Sequence, residues 1–290
     1  MSDSPAEGSA RLLVQCPDRP GIVAAVSDYL YRHGANILQG DQHSTDGENP
    51  QFFLRIEYDL DGLGTPAEEV AAGFGAAVAS KFNMQWRVSY SADRPRIAIL
   101  CTREPNCVLD LLWRARTEEL EADIAMVISN REILRPLAER FNVPFEHLPV
   151  TRETKVEQEK AMLDLLRGRV DLVVLARYMQ ILTPMFLGEY PQKVINIHHS
   201  FLPAFAGADP YGQAEERGVK IIGATAHYAT AELDAGPIIE QDVVRVTHRN
   251  ARADLMRLGR EVERMVLARA VRWHIEDRVL VYDNKTVVFH

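Results

Sequence analysis

Leu172-Val173-Val174-Leu175-Ala176 is five apolar residues in a row, with no polar residue in either phase of a two-residue alternation. A strand covered on one face alternates, whereas a strand covered on both faces does not. The run therefore predicts an inner strand of a sheet that carries helices on both sides. Outward from it, apolar runs at 97–101, 124–129 and 194–197 alternate with helical patterns. That alternation predicts an α/β domain with a mostly parallel, doubly wound, Rossmann-like sheet. Ligands of such sheets bind at the carboxyl ends of the strands, so chemistry is expected just after Ser129, Ala176 and Ile197.

The first third of the chain follows a different pattern. Apolar runs at 12–16, 35–44, 51–58 and 86–90 predict strands, with Asp46-Gly47-Glu48-Asn49-Pro50 as the turn between the second and third. Pro20-Gly21 opens a helix whose apolar positions are Ile22, Val23, Val26, Tyr29 and Leu30, and an Ala-rich helix covers 66–82. The order βαββαβ is ferredoxin-like. Ser91-Ala92-Asp93-Arg94-Pro95 is polar and proline-bearing, as a linker is. The expected division is a disordered tail at 1–9, a ferredoxin-like domain at 10–91 and the larger α/β domain at 95–290.

Composition narrows the function. The chain has 290 residues, 47% apolar and 26% charged, enough to bury two cores. It carries 33 Lys plus Arg against 41 Asp plus Glu, a net charge of −8, with no basic cluster for a nucleic-acid backbone. No apolar run reaches the ~18 to 20 residues that span a bilayer. The opening Met1-Ser2-Asp3-Ser4-Pro5 is too polar for a signal peptide. Three cysteines, Cys16, Cys101 and Cys107, make no Cys-x-x-Cys pair and no disulfide framework. A cytoplasmic protein with neither nucleic acid nor membrane as partner is expected.

Cys101-Thr102-Arg103-Glu104-Pro105-Asn106, after the first strand of the larger domain, lacks the glycines of a dinucleotide fingerprint. Phosphate-loop, zinc-protease and serine-elbow motifs are missing too. What remains is Asn196-Ile197-His198-His199-Ser200-Phe201-Leu202-Pro203 at the end of a predicted strand. Alternation puts Asn196 and His198 on one face and His199 on the other. A carboxamide can donate to a developing oxyanion, and an imidazole can move a proton near neutral pH. Downstream, Glu232-Leu233-Asp234-Ala235-Gly236-Pro237 reads as a tight loop that can return the Asp234 carboxylate towards His198. The same side chains, with His199 and His227, also suit a metal. Against that reading, no His pair has helical i, i+4 spacing.

Residues 196–203, 223–228 and 233–239 resemble the folate-dependent formyltransferase fold family. The longer stretches 195–205, 216–220, 221–228 and 233–248 are similar to the formyltetrahydrofolate deformylases. Asp18-Arg19-Pro20-Gly21-Ile22-Val23 is similar to the opening of an ACT domain, which those enzymes carry at the front. The resemblance implies a catalytic trio of Asn196, His198 and Asp234, with no metal or other cofactor. It implies that Ser129 and Asn130 flank a pterin from one side, and Arg177, Met179, Gln180, Ile181 and Leu182 from another, with His227 among the substrate contacts. It further implies 10-formyltetrahydrofolate as substrate, a small amino-acid effector at the ACT domain, and a homo-oligomer. Asn106, Asp209 and Gly212 depart from the family pattern while leaving the trio intact. Because the loop after the first strand carries Glu104 and Pro105 instead of glycines, it offers little to an acceptor's phosphate. Water is then the expected nucleophile; the alternatives are a formyltransferase with an unknown acceptor amine and a non-catalytic folate- or amino-acid-binding regulator.

Overall fold

In the computed structural model, which describes residues 8–204 and 209–290, the chain forms two units. The first begins with β1 (Ser9–Pro17), α1 (Ile22–Arg32), β2 (Ile37–Ser44) and β3 (Gln51–Asp59). A helix follows as α2 (Ala67–Phe74), a π-turn at Gly75–Ala79 and α3 (Ser80–Phe82), and β4 (Gln85–Tyr90) closes the sheet. The antiparallel order is β2-β3-β1-β4, as a ferredoxin-like unit requires. Alternation divides its faces: Leu12, Val14 and Cys16 with Phe52, Leu54 and Ile56 meet the helices, and Phe53 and Arg55 face the other way. Of the tail expected at 1–9, residues 1–7 lie outside the described residues and Ser9 already opens β1.

The second unit contains β5 (Arg96–Cys101), α4 (Asn106–Arg116), β6 (Asp123–Ser129), α5 (Arg135–Arg140), β7 (Phe145–His147) and α6 (Lys155–Leu166). It continues through β8 (Leu172–Ala176), α7 (Pro184–Glu189), β9 (Val194–His198), α8 (Pro210–Glu216), β10 (Ile221–Tyr228), β11 (Ile238–Arg245) and α9 (Arg252–Ile275). The strand order is β11-β10-β9-β8-β5-β6-β7. Strands β5 to β9 run parallel, while β9–β10 and β10–β11 pair antiparallel at one edge. All five residues of β8 are buried, the reason their run is uniformly apolar. Between β5 and β8 the winding reverses, so a crevice opens at their carboxyl ends. Thr102, just past β5, accepts a hydrogen bond from the Met179 N–H at 3.1 Å and ties the two strand ends together.

After α9 the chain forms β12 (Val279–Tyr282), which belongs to the first unit, and β13 (Lys285–Val288), whose last two residues do. Residues 276–282 and 287–290 therefore go with the first unit, although the sequence reading gave all of 95–290 to the second. The cause is apolar cover: Val287 and Phe289 pack on Phe53, whose ring centroid lies 4.9 Å from that of Tyr282. The buried Arg55 guanidinium donates to the Glu276 carbonyl at 3.2 Å from Nη2. Arg87 and Ser89 both bond the Asp277 carboxylate.

Candidate active site

The antiparallel partner strand settles what β9 alone leaves open. In the β9–β10 register Asn196 lies across from His227, and His198 across from Thr225. His227 is 2% exposed, and its Nδ1 is 3.0 Å from the Tyr228 carbonyl oxygen. A carbonyl only accepts, so Nδ1 carries the proton and Nε2 presents its lone pair. Asn196 Nδ2, 3.1 Å from that Nε2, is then the donor. This fixes the carboxamide with its nitrogen towards His227 and leaves its second N–H for another acceptor.

His198 makes the second pair. Its Nδ1 is 3.3 Å from Asp234 Oδ2, while its buried Nε2 has no hydrogen-bond partner among the described residues. With Nδ1–H towards the carboxylate, Nε2 is the open, basic nitrogen. The His198 hydrogen bond holds the Asp234 carboxyl well below the usual carboxylate range. Its other oxygen is 3.8 Å from His227 Nε2, too far for a hydrogen bond. Asp234 reaches this place from the loop between β10 and β11 with φ at 54°. Gly236 lets that loop close: a Cβ there would stand 1.8 Å from the Tyr228 carbonyl oxygen. Gly236→Ala should therefore lower stability by about 1–3 kcal/mol, read as a drop in Tm. An unchanged Tm would show that the loop has slack.

A cavity of about 340 Å³ opens in front of these groups. The sequence-predicted Asn196, His198, Asp234 and His227 all lie in its wall, as do Arg177, Met179, Gln180, Ile181 and Leu182. Ser129 and Asn130 do not. The Ser129 hydroxyl is buried, accepting from the Arg131 N–H at 3.1 Å. The Met179 main-chain N–H is likewise taken, by Thr102, so it is not free for a pterin edge. His199 lines the cavity too, although alternation put it on the opposite face. The reason is that β9 stops at His198, and strand alternation has no hold on the next residue. Burial, then Arg177 and His198, push the His199 pKa down to about 3, so its ring is neutral.

Two supports escaped the sequence reading. Thr225 is fully buried, donates to the Ser200 carbonyl at 2.9 Å and accepts from the Leu202 N–H and Gln241 Nε2. It moors the segment after β9 to β10 and β11, and only the cross-strand register reveals that. On α9, Glu263 is 3% exposed, accepts the Tyr211 hydroxyl at 2.7 Å and faces Arg177 at 3.6 Å. Burial pushes its carboxyl up. Asp209 and Gly212, two of the departures, depend on each other. Asp209 caps α8 by accepting from the Gly212 N–H, and a Cβ at 212 would lie 2.4 Å from its carboxylate. Burial pushes the Cys101 thiol up to about 12, and Cys107 higher still, so neither supplies a thiolate. Among the described residues no three His, Cys, Asp or Glu side chains are grouped to hold a metal ion, and no helix is long and apolar enough to cross a membrane.

The formyl transferase family model matches residues 95–271, and the ACT domain model matches 10–72. Over 285 residues the chain is 53% identical to the formyltetrahydrofolate deformylase of Bacillus subtilis (strain 168), covering 98% of this chain and 95% of that one. The chain belongs to the formyltetrahydrofolate deformylase family. The deformylase of Escherichia coli (strain K12) is 45% identical over 94% of this chain and 95% of its own. The crystal structure of a deformylase from Pseudomonas syringae pv. tomato superposes with a TM-score of 0.95 at 49% identity, covering 98% of this chain and 95% of that one. A glycinamide ribonucleotide transformylase from Symbiobacterium toebii shares 30% identity and a TM-score of 0.65 over 69% of this chain and 97% of its own.

Proposed function

We propose that the chain hydrolyses 10-formyltetrahydrofolate to formate and tetrahydrofolate, with Asn196, His198 and Asp234 as its catalytic residues. The observation that carries this reading is the Asp234–His198 pair, which leaves Nε2 open on the cavity wall beside the Asn196 N–H. His198 Nε2 takes a proton from water as the water oxygen bonds to the formyl carbon. Asn196 Nδ2 and the new imidazolium hold the oxyanion, and Asp234 stabilises the imidazolium. The carbon–nitrogen bond then breaks as His198 returns its proton to the departing folate nitrogen, and the water oxygen leaves in formate. The wall formed by Met179, Ile181 and Leu182 offers the apolar cover that a pterin ring needs.

The reading requires no metal or cofactor. It also takes the first unit as the seat of a small amino-acid effector and of pairing between copies, in a cytoplasmic enzyme. The test is formate release from purified protein and 10-formyltetrahydrofolate without any acceptor amine, with and without a chelator. Many turnovers per chain, indifferent to the chelator, are expected. Release that appears only with an added amine would make the chain a transferase, and binding without release would make it a regulator. Activity lost to the chelator would restore the metal reading.

A further inference from the structure

A second cavity, of about 270 Å³, adjoins the first, and the two share Arg177, His199 and Asp209 in their walls. Its far side is formed by Glu104, Arg252, Arg260 and Glu263. It lies below the roughly 300 Å³ at which pockets for larger ligands begin. For molecules near the size of water, at about 30 Å³ each, it is roomy. Nothing in the hydrolytic step proposed above uses it.

Arg177 stands on the shared wall in an unusual state. Its Nε and Nη1 are buried and have no hydrogen-bond partner among the described residues. The facing carboxylate, Glu263 Oε2, is 3.6 Å from Nη1, beyond hydrogen-bonding reach. A guanidinium that served only as the counter-ion of Glu263 would close to the 2.7–2.9 Å of a charge-assisted bond. Arg177 also holds a positive φ of 61° immediately after β8, a conformation that a side chain with a Cβ adopts only when its surroundings impose it. The neutral ring of His199 lines the same wall, 5.2 Å between centroids from the ring of His198. The two cavities meet at the wall that Arg177 and His199 share, so a small carboxylate formed in the first cavity borders the unpartnered donors of Arg177.

We infer that the second cavity receives the formate product, with Arg177 as the residue that binds it, while tetrahydrofolate occupies the first cavity. The inference rests on the hydrolytic reading for the identity of the anion and on the two-cavity wall for its place. The two products would then sit in the protein together and leave separately.

The test is binding of ¹³C-formate to the full chain, read by NMR, with and without saturating tetrahydrofolate. Formate should bind equally well to both forms. In Arg177→Lys, and in Arg177→Met combined with Glu263→Gln, formate should weaken at least about tenfold more than tetrahydrofolate does, the loss of roughly one charge-assisted hydrogen bond. The double variant leaves no buried charge unpaired, and a thermal melt on each variant identifies any that has not folded. Formate that competes with tetrahydrofolate, or that binds folded variants as tightly as the parent, would overturn the inference. Because binding needs no turnover, a chain that holds formate at Arg177 yet releases none from substrate would sink the hydrolytic reading alone.

Discussion

Asp234→Asn should lower kcat about 1,000-fold or more while KM moves by no more than a few-fold. In the proposed mechanism the carboxylate has two tasks: it accepts the Nδ1–H of His198 at 3.3 Å, and it would stabilise the imidazolium formed when His198 takes a proton. An asparagine amide can present its NH₂ to Nδ1 instead, which reverses the tautomer and puts the proton on Nε2, where the base must be empty. Ground-state binding should change little, because the amide keeps the size of the carboxylate in the cavity wall. Since His198 holds the Asp234 carboxyl well below its usual range, the group is ionised throughout any practical assay, and raising the pH will not rescue the variant. Stability should follow the same group. A depressed carboxyl pKa stabilises the fold above the unfolded value near ~3.9, and that contribution is lost as pH falls through the folded one. The Tm gap between parent and variant should therefore be widest near neutrality and narrow below about pH 4. Near-parental kcat in Asp234→Asn would remove the carboxylate from the mechanism.

Asn196→Ala should lower kcat about 100- to 1,000-fold, the usual cost of one oxyanion donor. One N–H of the carboxamide is spent on His227 Nε2 at 3.1 Å, and that bond aims the other. Truncation removes the donor and strands the lone pair of a histidine that is 2% exposed, so a stability loss of about 1–3 kcal/mol should accompany it. Asn196→Asp separates the two effects. It keeps the size of the side chain but replaces the aimed donor with a negative charge, so kcat should fall as far as in the alanine variant. An aspartate variant with substantial activity would mean that the oxyanion is held elsewhere.

The features legible in the sequence were those with a short period. Leu172–Ala176 showed its double burial directly in composition, and it is a strand with those bounds. That Asn196, His198 and Asp234 come together was legible because Asn196 and His198 share a strand face and Asp234 sits in a loop with a recognisable breaker. What stayed hidden depends on register and on distance along the chain. Pairing of β9 with β10 is what joins His227 to Asn196 and buries Thr225, and a single sequence does not state which residues face each other. Glu263 lies on a helix 86 residues after Arg177, on a buried face that reads as ordinary core. The placement of residues 276–282 and 287–290 was also hidden, since they look like a continuation of whatever precedes them. Only the apolar face around Phe53 shows where they belong.

That return of the chain has a consequence for the order of events during synthesis. The ACT sheet is made first, but the cover for Phe53 and the carbonyl that Arg55 donates to come from residues 276–289. A nascent chain carrying only the first 94 residues would hold a bare aromatic face and a guanidinium without that partner until nearly two hundred further residues had left the ribosome. The N-terminal unit is thus the first to be translated and the last to be finished.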